Sequence, residues 1–321
     1  MNGNIGIYFL TRLKTKFIRD YYLKKYGLDA TVKRFNSYGG KKLIETQKAH
    51  QLIYQAIKKN EPFMAGRFGS IELLVSLEEY LGIIGNEEYK MKALENNAGF
   101  FPSNKDQHKK FSDIMLESMK KCDLQGIWYL LYEDYTIKKI LPSVTNIIEA
   151  RYLEPWFYKE NPWTAALENK KVLVIHPFEN TIKSQYKKRK YIFPNNEKYL
   201  PKFELKTLRA IQSAAGTRDT RFKTWFEALN YMYEEALKID FDVAIIGCGA
   251  YGYPLAAKLK CAGKQAIHLG GVVQAMFGIK GRRWIEDVNP IVRNMYNEYW
   301  VYPSEDETPK SANSVEGGCY W

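Results

Sequence analysis

Two short segments concentrate the residues suited to phosphate and acid–base chemistry. The first reads GCGAYG, with Gly247, Gly249 and Gly252 in G-x-G-x-x-G spacing and Ala250 and Tyr251 between them. It follows an apolar run and precedes a helical pattern. Glycines there let the backbone approach a phosphate, and the helix N-terminus offers free N–H groups and a partial positive charge. Pro254 fits the first turn of that helix. A dinucleotide site also needs an acid about 20 residues on, to hold a ribose hydroxyl. Here the residue 21 positions after Gly247 is His268. No Asp or Glu occurs from 243 to 285, whereas Lys258, Lys260, Lys264, Lys280, Arg282 and Arg283 do. The stretch therefore suits a phosphate-bearing ligand and fits NAD poorly. The plainer alternative is that these glycines serve strand–helix packing.

The second segment reads GRFGSIE, from Gly66 to Glu72. Gly66 and Gly69 allow close backbone approach, and Arg67 suits a phosphate or carboxylate clamp. Glu72, in the first turns of the next helix, can bind a metal or accept a proton. Against this stands a structural reading, in which Glu72 complements the helix dipole and Arg67 pairs with it. Further candidates follow other apolar runs: Glu133 and Asp134, His176, and His268 with Gly270 and Gly271. The basic run 183–190 reads most simply as a solvated loop; alternatively Gln185, Tyr186 and Arg189 face an anionic acceptor. In RDTR, Arg218 or Arg221 can face a diphosphate.

These positions need elements to hold them. Strand patterns fall within 62–69 (PFMAGRFG, a short strand running into a glycine turn), and at 126–132, 170–178, 203–213, 241–249 and 264–271. Helical patterns fall at 41–59, 70–83, 86–94, 106–121 and 222–238, from the glycine turn after 249 to about 262, and at 284–298. Strands alternating with helices predict an α/β fold with a mostly parallel sheet and helices on both faces. Ligands bind such sheets beyond the carboxyl ends of the strands, where the candidates above lie. Residues 5–26 form a basic, aromatic helix with Phe9, Leu13, Phe17 and Tyr21 spaced by four on one face. Two readings stand for it: a helix docked on the body, or a surface helix for anionic lipid. The tail from Ser304 is polar and predicted flexible, with Tyr320 and Trp321 as possible anchors.

The chain has 321 residues, 45% hydrophobic and 26% charged, enough to bury a sizeable core. Lys+Arg number 48 against 36 Asp+Glu, a net charge of +12, which favours anionic partners. Four scattered cysteines without CxxC argue against a zinc site and against a disulfide framework. No secretory signal is read at the start, and the longest uncharged run, 243–257, is too short to span a bilayer. A cytoplasmic protein, at most peripheral on the inner membrane face, is expected.

FMAGRFGSIELL resembles the RFGDGE-type segment of the GT-D glycosyltransferases, bacterial enzymes first recognised as a domain of unknown function in adhesin glycosylation. GCGAYGYPLAAKLKCAGKQAIHLGG resembles that family's second segment: a glycine-rich turn after a strand, a helix, then a strand ending near a glycine pair. The resemblance implies a Rossmann-like catalytic domain over 61–303, after an N-terminal helical extension over 1–60 and before a tail over 304–321. It implies transfer of a sugar from a nucleotide-diphosphate sugar to a glycan or lipid-linked acceptor, in bacterial surface polysaccharide or glycoprotein synthesis. It also implies a divalent ion, manganese or magnesium, held by a D-x-E pair. Ser70 stands where the family has Asp, and only Glu72 of that pair is present. Either Glu72 works with Asp134 or Glu133, or basic residues replace the ion.

The transferase reading places the diphosphate on Arg67 and the 247–253 turn, and gives the acceptor proton to Glu72, Asp134 or His176. An NAD(P) oxidoreductase is the alternative, supported by G-x-G-x-x-G and opposed by the missing acid. A nucleic-acid-binding protein draws support from the charge and the 24 tyrosines. It lacks any RRM, KH, helix-turn-helix or zinc signature.

Overall fold

The computed structural model describes residues 3–83, 85–143, 145–214, 217–286, 290–309, 312–314 and 318–321. Nine strands occur among them. Strands β1 (Ser37–Tyr38) and β2 (Lys41–Lys42) form a small antiparallel hairpin. The other seven are β3 (Phe63–Arg67), β4 (Leu124–Ile127), β5 (Asn146–Glu149), β6 (Lys171–His176), β7 (Glu204–Arg209), β8 (Val243–Ile246) and β9 (Gln265–His268). They make one sheet in the order β5-β4-β3-β9-β8-β6-β7, and every neighbouring pair is parallel. The fold is α/β, as the alternation of patterns predicts.

Side-chain alternation along the strands divides the core into two layers. Met64, Leu173, Ile175, Ala244, Ile246 and Ala266 join one buried cluster with Leu73, Phe111, Trp225 and Leu255. These partners come from the helices Ser70–Leu81, Lys105–Met119, Trp225–Leu237 and Gly252–Cys261. Ala65, Val172, Val174, Val243, Ile245 and Ile267 point the other way, into a cluster with Ile53, Ile182 and Val273. That layer is built by the helices Thr46–Lys59, Glu179–Lys187 and Val272–Met276. Because both faces are covered, the strands read as continuous apolar runs.

Three local expectations are corrected. The aromatic stretch 126–132 is not one strand: β4 stops at Ile127, and residues 128–132 turn back, with Tyr129 and Tyr132 at positive φ. The buried carboxylate of Glu133 fastens that turn, accepting N–H bonds from Trp128 and Leu130 at 3.0 Å each. The helix expected over 284–298 is shorter: Arg282–Glu286 is helical, Arg293–Met295 is a 3-10 turn, and 287–289 lie outside the described residues.

Within the stretch expected to be flexible, residues 304–309 are docked on the body. Buried Glu307 accepts N–H bonds from Asn180 (2.6 Å) and Thr181 (3.1 Å), capping the helix Glu179–Lys187. An acid at a helix N-terminus satisfies free N–H groups and the dipole together, and this holds the segment down. Residues 310–311 and 315–317 lie outside the described residues.

The N-terminal segment is helical from Gly3 to Tyr26, with a π-helical stretch at Lys16–Leu23. Among the described residues, no helix is long and apolar enough to cross a membrane.

Candidate functional site

A cleft of about 810 Å³ opens at the carboxyl edge of the sheet, a size common for small-ligand sites. Residues following all seven strands line it, including Gly69 and Glu72 after β3, Trp128 after β4, Arg151 after β5, Ser213 after β7 and Gly249 after β8. Pro177 follows β6 and Gly270 follows β9.

Arg67 closes the floor. Its Nε and Nη2 donate to the Leu269 carbonyl at 2.8 and 2.5 Å, and Nη1 donates to the Ala150 carbonyl at 3.2 Å and to Glu154 Oε1 at 3.0 Å. The guanidinium also lies 5.0 Å from the Trp128 ring centroid. Burial pulls its pKa down, offset by Glu154, while burial pushes Glu154 up against the pull of Arg67. The expected pairing of Arg67 with Glu72 is therefore corrected: its buried partner is Glu154. A phosphate clamp on Arg67 would have to break bonds that tie three loops together.

Glu72 lies instead at the start of the helix Ser70–Leu81, half-exposed in the cleft wall. Its carboxylate folds back over Gly69: a Cβ on Gly69 would sit 2.0 Å from Glu72 Oε2. Gly69 is thus needed for a close approach within the chain. Gly66 is too, since a Cβ there would meet the Tyr253 ring at 2.9 Å; Gly66 does not line the cleft.

The three glycines of the other segment differ. A Cβ on Gly247 would meet the Gly270 carbonyl at 2.7 Å, and one on Gly252 would meet His268 at 2.4 Å. These two are packing glycines. Gly249 is exposed, at φ +56°, with nothing within 4 Å of a Cβ. It lines the cleft with Gly247 and Tyr251, while Ala250 and Gly252 face the core. Tyr251 stacks on Trp225 and bonds Ser213 Oγ at 2.8 Å. Gly270, at φ +60°, and Gly271 form the facing rim.

Both strand-end histidines line the cleft and are buried. His176 Nδ1 accepts the Phe178 N–H at 3.0 Å, which leaves the neutral ring's proton on Nε2. Burial holds its pKa down to about 3. A ring in that state donates a hydrogen bond from Nε2, and burial works against its taking up a proton. Among the described residues, neither ring nitrogen of His268 has a hydrogen-bond partner, and burial and the Arg67 charge hold its pKa down to about 3.

Four candidates lie elsewhere. Asp134 pairs with Lys14 Nζ at 3.0 Å, and neither residue lines the cleft. Gln185 is buried and donates to the Gly278 and Tyr299 carbonyls at 3.1 and 2.8 Å, a structural tie. Arg189 lies over the Tyr186 ring, and Arg218 pairs with Glu95 at 2.6 Å on the surface. None of these four faces the cleft.

Other residues take their place. Arg151, partly exposed in the cleft wall, sits 3.5 Å from Glu149 and against Trp128. Arg283 lies against Tyr320, with Nη1 3.6 Å from a Cβ on Gly271. Arg283, Trp284, Tyr320 and Trp321 all line the cleft. The cleft acids are Asp20, Glu72 and Glu154. Ser70 stands in the D-x-E position and Glu154 is committed to Arg67, so among the described residues the cleft lacks the D-x-E pair itself, and Asp20 is the other acid beside Glu72. Among the described residues, one grouping offers three metal-binding side chains, Glu79, Glu87 and His108. It lies away from the cleft, and Lys90 pairs with Glu87 at 2.5 Å.

No family model and no curated protein matches the chain. Among solved structures, the selenomethionine form of domain of unknown function 1792 aligns at 12% identity over 68% of this chain and 76% of that one, with a TM-score of 0.39. A second structure of the domain, described as having a distinct glycosyltransferase fold, aligns at 12% identity over 75% and 81%, with a TM-score of 0.41.

Two predictions follow from this geometry. Arg67→Met strands Glu154 as a buried charge without its partner. Unfolding in urea should show a loss of about 3–5 kcal/mol, whereas an unchanged midpoint would mean that Arg67 is free to serve a ligand. The second concerns pH. A histidine held neutral in the fold, but titrating near 6.5 when unfolded, stabilises fully above that pH. The contribution is lost as pH falls toward the folded value, by about 2 kcal/mol between pH 7 and pH 5. His268→Gln should therefore lose about 2 kcal/mol less than the parent over that interval. Identical pH dependence would show that His268 titrates normally in the fold.

Proposed function

We propose that the protein is a nucleotide-sugar-dependent glycosyltransferase that works without a tightly held metal ion. The observation that carries this reading is the shape and charge of one cleft. The exposed, positive-φ Gly249 lines it together with the Gly270–Gly271 rim, and Arg283 and Arg151 stand in the same lining. A diphosphate suits that pairing of backbone N–H groups with guanidinium forks.

In this reading the acceptor hydroxyl oxygen attacks the anomeric carbon, and the bond from that carbon to the diphosphate oxygen breaks. The nucleoside diphosphate leaves. Arg151, Arg283 and the 247–252 turn stabilise the charge that gathers on it. Glu72 takes the proton from the acceptor hydroxyl. His176 Nε2–H supplies a neutral donor. The resemblance of the two segments supports the donor class, and the lack of acids from 243 to 285 counts against the oxidoreductase alternative. The acceptor is proposed to be a glycan or a lipid-linked sugar.

The test is a thermal-shift panel of UDP, GDP, CMP and dTDP sugars beside NAD and NADP. One nucleotide-sugar class should stabilise the fold, by about 2.7 kcal/mol at a hundredfold excess over Kd. Stabilisation by NADP alone would overturn the assignment. With the stabilising donor in hand, Glu72→Gln should leave the melting temperature unchanged and cut turnover about 100-fold or more. Addition of a chelator should leave turnover unchanged. Full turnover by Glu72→Gln would remove that residue from the chemistry, and loss of turnover on chelation would restore the metal.

A further inference from the structure

The N-terminal helix has two faces with different surroundings. One is docked: Ile18 and Thr11 are buried, Tyr8 packs 6.2 Å from the Tyr132 ring, and Lys14 pairs with Asp134. The other carries five large apolar side chains in the open: Phe9 (55% exposed), Leu10 (72%), Leu13 (66%), Phe17 (53%) and Tyr21 (49%). Four of them are spaced by four residues, and Leu10 sits beside the first, so they form one stripe along the helix. Arg12, Lys16, Lys24 and Lys25 are exposed around it. Residues 1–34 contain eight Lys/Arg and two Asp/Glu.

We infer that this face is seated on an anionic lipid bilayer. An apolar stripe flanked by cations is the pattern of a helix lying in the membrane interface. Apolar side chains enter the acyl boundary, and Lys and Arg meet the headgroup phosphates. The charge complementarity selects an anionic lipid surface over a second copy of the chain, which carries the same +12 charge and the same basic face.

The placement has a consequence for the cleft. Thr15, Arg19 and Asp20 of the same segment line its wall. A bilayer under the helix brings the lipid surface to the cleft's edge. This consequence, unlike the seating itself, rests on the proposed transfer reaction: it makes a membrane-embedded acceptor the one the cleft can reach.

The experiment is co-flotation of the full chain with vesicles. Vesicles of phosphatidylglycerol and phosphatidylcholine in equal parts should carry the protein, and vesicles of phosphatidylcholine alone should not. The triple variant Leu10→Ser, Leu13→Ser, Phe17→Ser should bind about tenfold or more weakly. The double variant Arg12→Glu, Lys16→Glu should bind about tenfold or more weakly and lose its salt sensitivity. Because Phe17 also meets the Phe35 ring edge-on at 6.1 Å, circular dichroism and melting temperature are read for each variant, and only variants folded like the parent are compared. The inference is overturned if the folded parent stays unbound on the anionic vesicles, or if the variants float like the parent. It is also overturned if light scattering shows that the parent is a dimer and the triple variant a monomer, because the stripe is then a contact between copies. None of these readouts depends on turnover, so failure here leaves the transferase proposal standing.

Discussion

The fork of Arg67 sets the geometry of the carboxyl edge. A parallel sheet ends in a row of loops with no ladder of their own, and buried carbonyls there need donors. Arg67, the last residue of β3, supplies them to both sides: to Leu269 after the neighbouring β9, and to Ala150 and Glu154 after β5. To reach the second pair it spans β4, and Trp128, the first residue beyond β4, lies against the guanidinium. One cation thereby fixes the floor of the cleft and the starting points of the Gly270–Gly271 rim and the Arg151 wall. Lysine has neither the planar fork nor the donors for this task.

With the floor committed, ligand chemistry falls to residues at the rim. The cleft keeps its neutral histidines buried, its packing glycines closed, and Gly249 open. Gly247 and Gly252 of the G-x-G-x-x-G segment bring strand, helix and His268 together, and Gly249 alone of the three has open space around a Cβ. The packing reading and the phosphate reading of that motif are compatible, since they concern different glycines. The partly exposed guanidinium of Arg151 and Arg283 line the same cleft as Ser70 and Glu72.

The layered α/β fold was legible because its central strands are buried on both faces and read as unbroken apolar runs, as in Val172 to Ile175. The cleft's place at the carboxyl edge followed from that. What stayed hidden has specific causes. The four-residue strand Asn146–Glu149 is too short to stand out beside the 3-10 turns that follow it, so Arg151 could not be read as a strand-end residue. Arg283 and the aromatic pair Tyr320–Trp321 reach the cleft through a long excursion with no periodic pattern. Asp134 looked like a strand-end acid because 126–132 is aromatic and β-prone. The turn at Tyr129 and Tyr132 carries it to the far side, next to Lys14. Glu72, five residues on, is the nearest acid to Arg67 in sequence, whereas the acid that pairs with it, Glu154, is 87 residues away. Sequence proximity says nothing about which loops a parallel sheet brings together.

The central claim is that the open turn and its facing rim hold a diphosphate. Hydrogen–deuterium exchange measures those backbone amides directly. The full chain would be compared with and without the nucleoside diphosphate that stabilises it. Amides of 248–253 and 270–272 should exchange more slowly with the nucleotide bound, while the surface stretch 217–221 around Arg218 should exchange at an unchanged rate. Bound nucleotide that protects 217–221 and leaves both glycine segments exchanging freely would contradict the account.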